Sequence, residues 1–148
     1  MSFDPQSFLD ATVTSSNSTK IIPVPVGEYM GIIEKVEPRQ WQSKDGTKTG
    51  ISLDVTWIVE DNNVREFLGR ENVTCRQGVM LDVTPEGRLD TSEGKNVGLG
   101  RLREAVNKNE PGQAFSFNML PGLSAKISVS HRIAGEDTFA EVKGVARL

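Results

Sequence analysis

Arg39, Trp41, Lys44 and Lys48 place one aromatic ring and three cations within ten residues, around an Asp45-Gly46 turn. Such a mixture can hold single-stranded nucleic acid: bases stack on the ring and the cations follow the phosphates, each stacked base contributing ~1–3 kcal/mol by alanine substitution. The same segment also reads as an ordinary solvated hairpin with Trp41 folded back onto the protein, and residue types alone leave both readings open. Arg70, Arg76, Lys126 and Arg132 could extend a phosphate track. Their sequence neighbours include Glu71, Glu136 and Asp137, so the competing reading is solvated surface charge, which contributes little to stability.

Other chemistry is poorly represented. One cysteine (Cys75) and one histidine (His131) are too few for the usual nitrogen–sulfur zinc site. Cys75 is expected as a small buried apolar residue. His131 alternates with Ile127, Val129 and Ile133, so a satisfied core histidine is expected there. No Gly-x-Ser-x-Gly elbow occurs, and a Ser-His-Asp arrangement would rest on His131 alone. Asn96-Val97-Gly98-Leu99-Gly100-Arg101 lacks the full glycine fingerprint of a nucleotide site. Asn72-Val73-Thr74 fits a glycosylation acceptor, but nothing else points to secretion. Neither catalysis nor a cofactor is expected. Trp57 shares its strand face with Ile51, Leu53 and Val55, so it is expected in the core, its indole N–H meeting a backbone acceptor. Gly31, on the face of Tyr29 and Ile33, would let another chain or a base approach closely, and the competing reading, which is the one expected, is a kink in the barrel.

The chain has 148 residues, enough for one domain with a real core. It is 36% hydrophobic and 25% charged, as in a soluble globular protein. No apolar run approaches the ~20 residues that cross a bilayer, so no membrane partner is expected. Residues 1–10 lack the basic start and apolar stretch of a secretory signal, and cytoplasm is the expected compartment. The net charge of −3 is mildly unfavourable to a nucleic-acid partner, although phosphate binding needs only a local positive groove.

The elements that must position these residues run strand, strand, strand, helix, strand, strand. The first strand is expected over Glu28–Glu37, ended by Pro38, and the second over Gly50–Glu60, where alternation is clearest. Asp61-Asn62-Asn63 reads as a turn. Gly69–Gln77 is extended, with Val73 and Cys75 on one face and Thr74 and Arg76 on the other. Gly78 interrupts it, and Val79–Asp90 reads as an additional hairpin turning at Thr84–Gly87. Val97, Leu99, Leu102, Ala105 and Val106 give Asn96–Asn107 a buried helical stripe, with Asn96 as its cap. Two strands follow, Ala125–Ile133 and Thr138–Ala146. A helix between the third and fourth of five strands is the plan of the OB-fold, a Greek-key barrel whose loop between strands one and two flanks the binding face. The fold class is thus mainly β: an OB-like five-stranded barrel over residues 27–148, with an extra hairpin and an extended N-terminal arm.

The arm covers residues 1–26. Ala11–Thr19 is rich in Ser, Thr and Asn and has little to bury. Asp4 and Pro5 can cap and begin a short helical turn. Phe3 and Phe8 either dock loosely or latch onto a neighbouring subunit. Ile21–Val26 alternates proline with β-branched residues and is expected to be extended along a sheet edge.

These residues resemble a group of small phage-encoded single-stranded DNA-binding proteins. The likeness rests on Pro23–Tyr29, on Asp45-Gly46 leading to Leu53–Trp57, on Gly100–Ala105 and on Glu141–Val145, and it covers most of the chain after residue 20. It implies a non-catalytic protein coating single-stranded DNA in the host bacterial cytoplasm during replication or recombination, with Trp41, Arg39, Lys44, Lys48, Arg70 and Arg76 carrying the binding. Such proteins often end in an acidic tail, whereas Lys143–Leu148 has no acidic run. The alternative is a virion decoration protein. Its arm would build a homo-oligomer or dock on a major capsid protein by adding to a neighbour's sheet.

Overall fold

Runs of β-branched and aromatic residues with period-two alternation build five strands that close into a barrel in the order β1-β2-β3-β5-β4. In the computed structural model, which describes residues 2–148, these are β1 (Gly27–Gln42), β2 (Thr49–Glu60), β3 (Thr74–Leu81), β4 (Ser124–Ala134) and β5 (Asp137–Ala146). Three helices accompany them: α1 (Pro5–Asp10), α2 (Asn62–Leu68) and α3 (Val97–Ala105). Neighbouring strands are antiparallel except β3 and β5, which meet in parallel at Arg76 and Glu141. The arrangement is an OB-like barrel with its main helix between the third and fourth strands.

The inward face of β2 supplies Leu53, Val55, Trp57 and Val59, all buried. Ile33, Cys75, Val79, Ile127, Val129 and Val142 meet them from the other strands, and Leu99, Leu102 and Ala105 of α3 join the same core. A Cβ on Gly31 would stand 2.9 Å from both Trp57 and Ile127, so this glycine lets the largest core ring lie against the backbone of β1. Trp57 Nε1 donates to Oε1 of Gln77 at 2.9 Å; the acceptor is a side chain, not the expected backbone carbonyl.

Several boundaries differ from those expected. β1 does not stop at Pro38, which pairs with Leu53 inside the strand. Beyond Ile33, which bonds Gly122 and Leu123, this strand has no paired strand on its β4 side, and a residue without an N–H is tolerated on such an edge. The Asp61-Asn62-Asn63 turn is the start of α2: the Asp61 carboxylate accepts from Val64 N–H at 2.9 Å, and Gly69 ends the helix in the left-handed region. Gly78 does not interrupt the third strand, because the ladder with β2 runs through it, opposite Asp54, as far as Leu81. The additional hairpin shrinks to a single bridge, Val83 to Leu89.

Asn96 stands at the cap position of α3, its carbonyl accepting from Gly100 N–H, but its side chain does not cap. It sits at φ 52°, and its side chain instead accepts from Asp82 N–H and donates to the carbonyls of Asp82 and Asp90. It anchors the helix start to the small hairpin.

In the arm, Asp4 accepts from Gln6 N–H at the start of α1, and Phe3 stacks on Phe8 with centroids 5.5 Å apart. Ile21–Val26 joins no strand, and the chain bends at Val26 before β1. Val24 is buried against the barrel, and Tyr29 Oη donates to the Pro25 carbonyl at 2.8 Å. His131 is exposed rather than in the core, yet satisfied: its Nε2 donates to the Val24 carbonyl at 2.7 Å.

Candidate nucleic-acid interface

The candidate interface begins where β1 and β2 form a long hairpin. Its inward residues fill the core, so the alternate set, Lys35, Glu37, Arg39 and Trp41 on β1 with Gly50, Ser52, Asp54 and Thr56 on β2, forms the outward face. Register sets Trp41 opposite Gly50 and Arg39 opposite Ser52. β3 extends these rows with Met80 beside Ser52 and Arg76 beside Thr56. Through the β3–β5 contact Arg76 reaches Glu141, and β5 carries Phe139 on the same face, paired with Arg132 of β4.

Trp41 lies across Gly50, as the folded-back reading of the hairpin had it. A Cβ on that glycine would come within 2.5–2.7 Å of ring atoms Cζ2, Cε2 and Nε1. Arg39 Nε donates to Asp54 at 3.1 Å. Lys44 and Lys48 flank the tip, exposed and without an ion pair among the described residues, and Arg76 is likewise unpaired. Arg132 lies 5.2 Å from the Phe139 ring centroid and 3.7 Å from the Glu141 carboxylate.

Five of the expected residues therefore share one face or its rim: Trp41, Arg39, Lys44, Lys48 and Arg76. Arg132 joins them through β5. Arg70 does not. It follows α2, at the end of β2 opposite the hairpin tip, and β2 is roughly 35–40 Å long at about 3.3 Å per residue. Lys126 stands on the outward row of β4 six residues before Arg132, opposite Met30 of β1 and Ala146 of β5, and reaches Glu28 at 3.4 Å. The carboxylates that engage these cations are Asp54, Glu28 and Glu141, not the sequence neighbours Glu71, Glu136 and Asp137.

No protein-family model matches the chain, and no curated protein matches it. Function is therefore to be read from this face itself.

Three surface features escape sequence reading: Phe139 at 46% exposure, Met80 at 60%, and Ser52 at only 2% although it faces outward. Phe139 was legible as an aromatic alternating with Ala140 and Val142; what makes it part of this face is the β3–β5 closure, which no local pattern announces.

The hairpin tip is rigidly wired. Asp45 accepts from Ser43 Oγ (2.6 Å) and from Thr47 N–H (3.0 Å) and Oγ1 (2.8 Å), and these bonds hold its carboxyl down at about 2. A depressed carboxyl stabilises the fold above its ordinary value, 3.8, and that contribution is lost as pH falls through about 2. Carboxyl NMR titration should place the Asp45 midpoint near 2. A midpoint near 4 would show that the turn's bonds are not kept in solution.

Elsewhere, burial pushes the Cys75 thiol up to about 11, so it stays a neutral core group. Among the described residues no three His, Cys, Asp or Glu side chains gather to hold a metal ion. No helix among them is long and apolar enough to cross a membrane. Arg101 and Glu104 of α3 line two grooves, and two of the cations around them are engaged. Arg103 stacks on Phe115 at 4.3 Å, and Arg147 donates to the Glu104 carbonyl.

Proposed function

We propose that the protein binds single-stranded DNA without sequence preference and without catalysis, coating strand exposed during replication or recombination in a bacterial host, as phage-encoded proteins of that kind do. One observation supports this above all. The outward face of the barrel joins two aromatic rings, Trp41 and Phe139, through a path of arginines, Arg39, Arg76 and Arg132, with Lys44 and Lys48 at its rim. Rings for bases and cations for the backbone are what binding without sequence preference requires. The net charge of −3 is no obstacle, since the carboxylates on this face, Glu37, Asp54 and Glu141, each have a cationic partner.

Titration with oligo-dT at low salt tests the reading directly: tryptophan emission should be quenched and a labelled oligonucleotide should gain anisotropy. Absence of both at micromolar protein would sink it. With three or four phosphates engaged, the log–log salt dependence should have a slope of roughly −2 to −3. A slope near zero would mean that the cations do not contact phosphate.

A second reading rests on the arm. Phe3, Phe8 and Leu9 are 70%, 69% and 74% exposed and contribute nothing to the core, which favours assembly with a second copy or with a major capsid protein. High copy number in purified virions, measured by mass spectrometry, would replace the replication role with a structural one.

A further inference from the structure

Among the polar atoms of the binding face that are buried without a hydrogen-bond partner are Nε1 of Trp41 and Oγ of Ser52. They stand in adjacent rows, since Trp41 is opposite Gly50 and Ser52 is the next outward residue on β2. Each carries the desolvation cost of an unmade bond. Neither needs to: an outward-facing serine and a surface indole ordinarily have water beside them. Ser52 is 2% exposed instead, enclosed on a face where its lateral neighbours are Arg39 and Met80. Gly50 has no side chain, so the indole lies flat on backbone that any Cβ would hold away.

We propose that Trp41 is the lid of a closed nucleotide slot. Its floor is the bare backbone at Gly50, and its hydrogen-bonding group is the Ser52 hydroxyl. Single-stranded DNA enters with the indole lifted off the glycine. The ring then stacks on the entering base and frees its own N–H, while the hydroxyl bonds the nucleotide. The closed form is a competitor of the bound form, so apparent affinity is reduced by the fraction of molecules that are closed. The inference rests on the single-strand reading and adds to it a site and a conformational step. The rival view is a packing pair in which an aromatic ring merely covers a cross-strand glycine.

Gly50→Ala and Ser52→Ala separate the two. In Gly50→Ala the three atoms nearest the new methyl all belong to the Trp41 indole, so the ring is displaced and the barrel kept. Because Trp57 is fully buried, emission and acrylamide quenching of the free protein report on Trp41. The expected results are a red-shifted, more quenchable indole and oligo-dT binding tightened about threefold or more. Ser52→Ala should weaken oligo-dT binding about threefold to tenfold while urea unfolding stays at or above the wild-type midpoint, because a buried unpartnered hydroxyl has been removed. An unmoved indole in Gly50→Ala overturns the lid. So does unchanged or weaker binding once the ring is displaced, and wild-type affinity in Ser52→Ala overturns the slot. If wild-type protein fails to bind oligo-dT, the single-strand reading itself falls. Wild-type binding with indifferent variants removes the slot alone.

Discussion

Replacing Trp41 by alanine should weaken oligo-dT binding about fivefold to tenfold and abolish the quenching of tryptophan emission. A stacked base contributes about 1–3 kcal/mol. Removing the ring also removes the cost of lifting it from Gly50, so the net loss belongs at the lower end of that range. The optical part is sharper, because the remaining tryptophan, Trp57, is sealed in the core with its N–H on Gln77 and cannot sense a ligand on the outer face. Trp41→Phe should retain most of the affinity, since a flat ring is preserved. Equal affinities of wild type and Trp41→Ala, measured by anisotropy of a labelled oligonucleotide, would remove Trp41 from the interface.

The largest effect on stability is expected at Trp57. Truncation to alanine should lower the unfolding free energy by about 3–5 kcal/mol, measured by urea denaturation. The ring is fully buried, and it touches β1 where Gly31 has no side chain. Its loss leaves a cavity that the rigid strands cannot collapse around, and it strands the Gln77 carbonyl without its donor. Trp57→Phe fills more of the space but leaves the same acceptor unpaired, so it should fall between wild type and alanine. A loss below about 1 kcal/mol for the alanine variant would mean that the core repacks.

Much of the architecture could be read from alternation. β2 was legible because its faces separate cleanly into Leu53, Val55 and Trp57 against Ser52, Asp54 and Thr56. β1 was cut short because Pro38 reads as a terminator, and only pairing shows that its missing N–H falls on a free edge. α2 was hidden by Asp61-Asn62-Asn63, whose composition suits a turn and a helix cap equally well; the signal that could have distinguished them was Gly69, placed to end the helix. Gly78 misled for the opposite reason, since a residue with little strand preference is carried by the ladder on β2. At the candidate site, Trp41 and its neighbouring cations stood out because they are close in sequence. Phe139 and Met80 did not, since closure of the sheet decides which distant side chains become neighbours. Arg70 shares only a charge with the others, and charge carries no address.

β3 and β5 share a single paired position, Arg76 with Glu141. Every other strand pair is a long zipper, while this one is a clasp, and it joins residues far apart in the chain. With a single paired position to hold it, this seam is expected to open more readily than the long ladders, which amide exchange would read. The same arginine belongs to the proposed DNA track. A strand of DNA spanning Trp41 to Arg132 would lie across the clasp as a rivet lies across a joint, and the amides of β3 and β5 should exchange more slowly when it is bound.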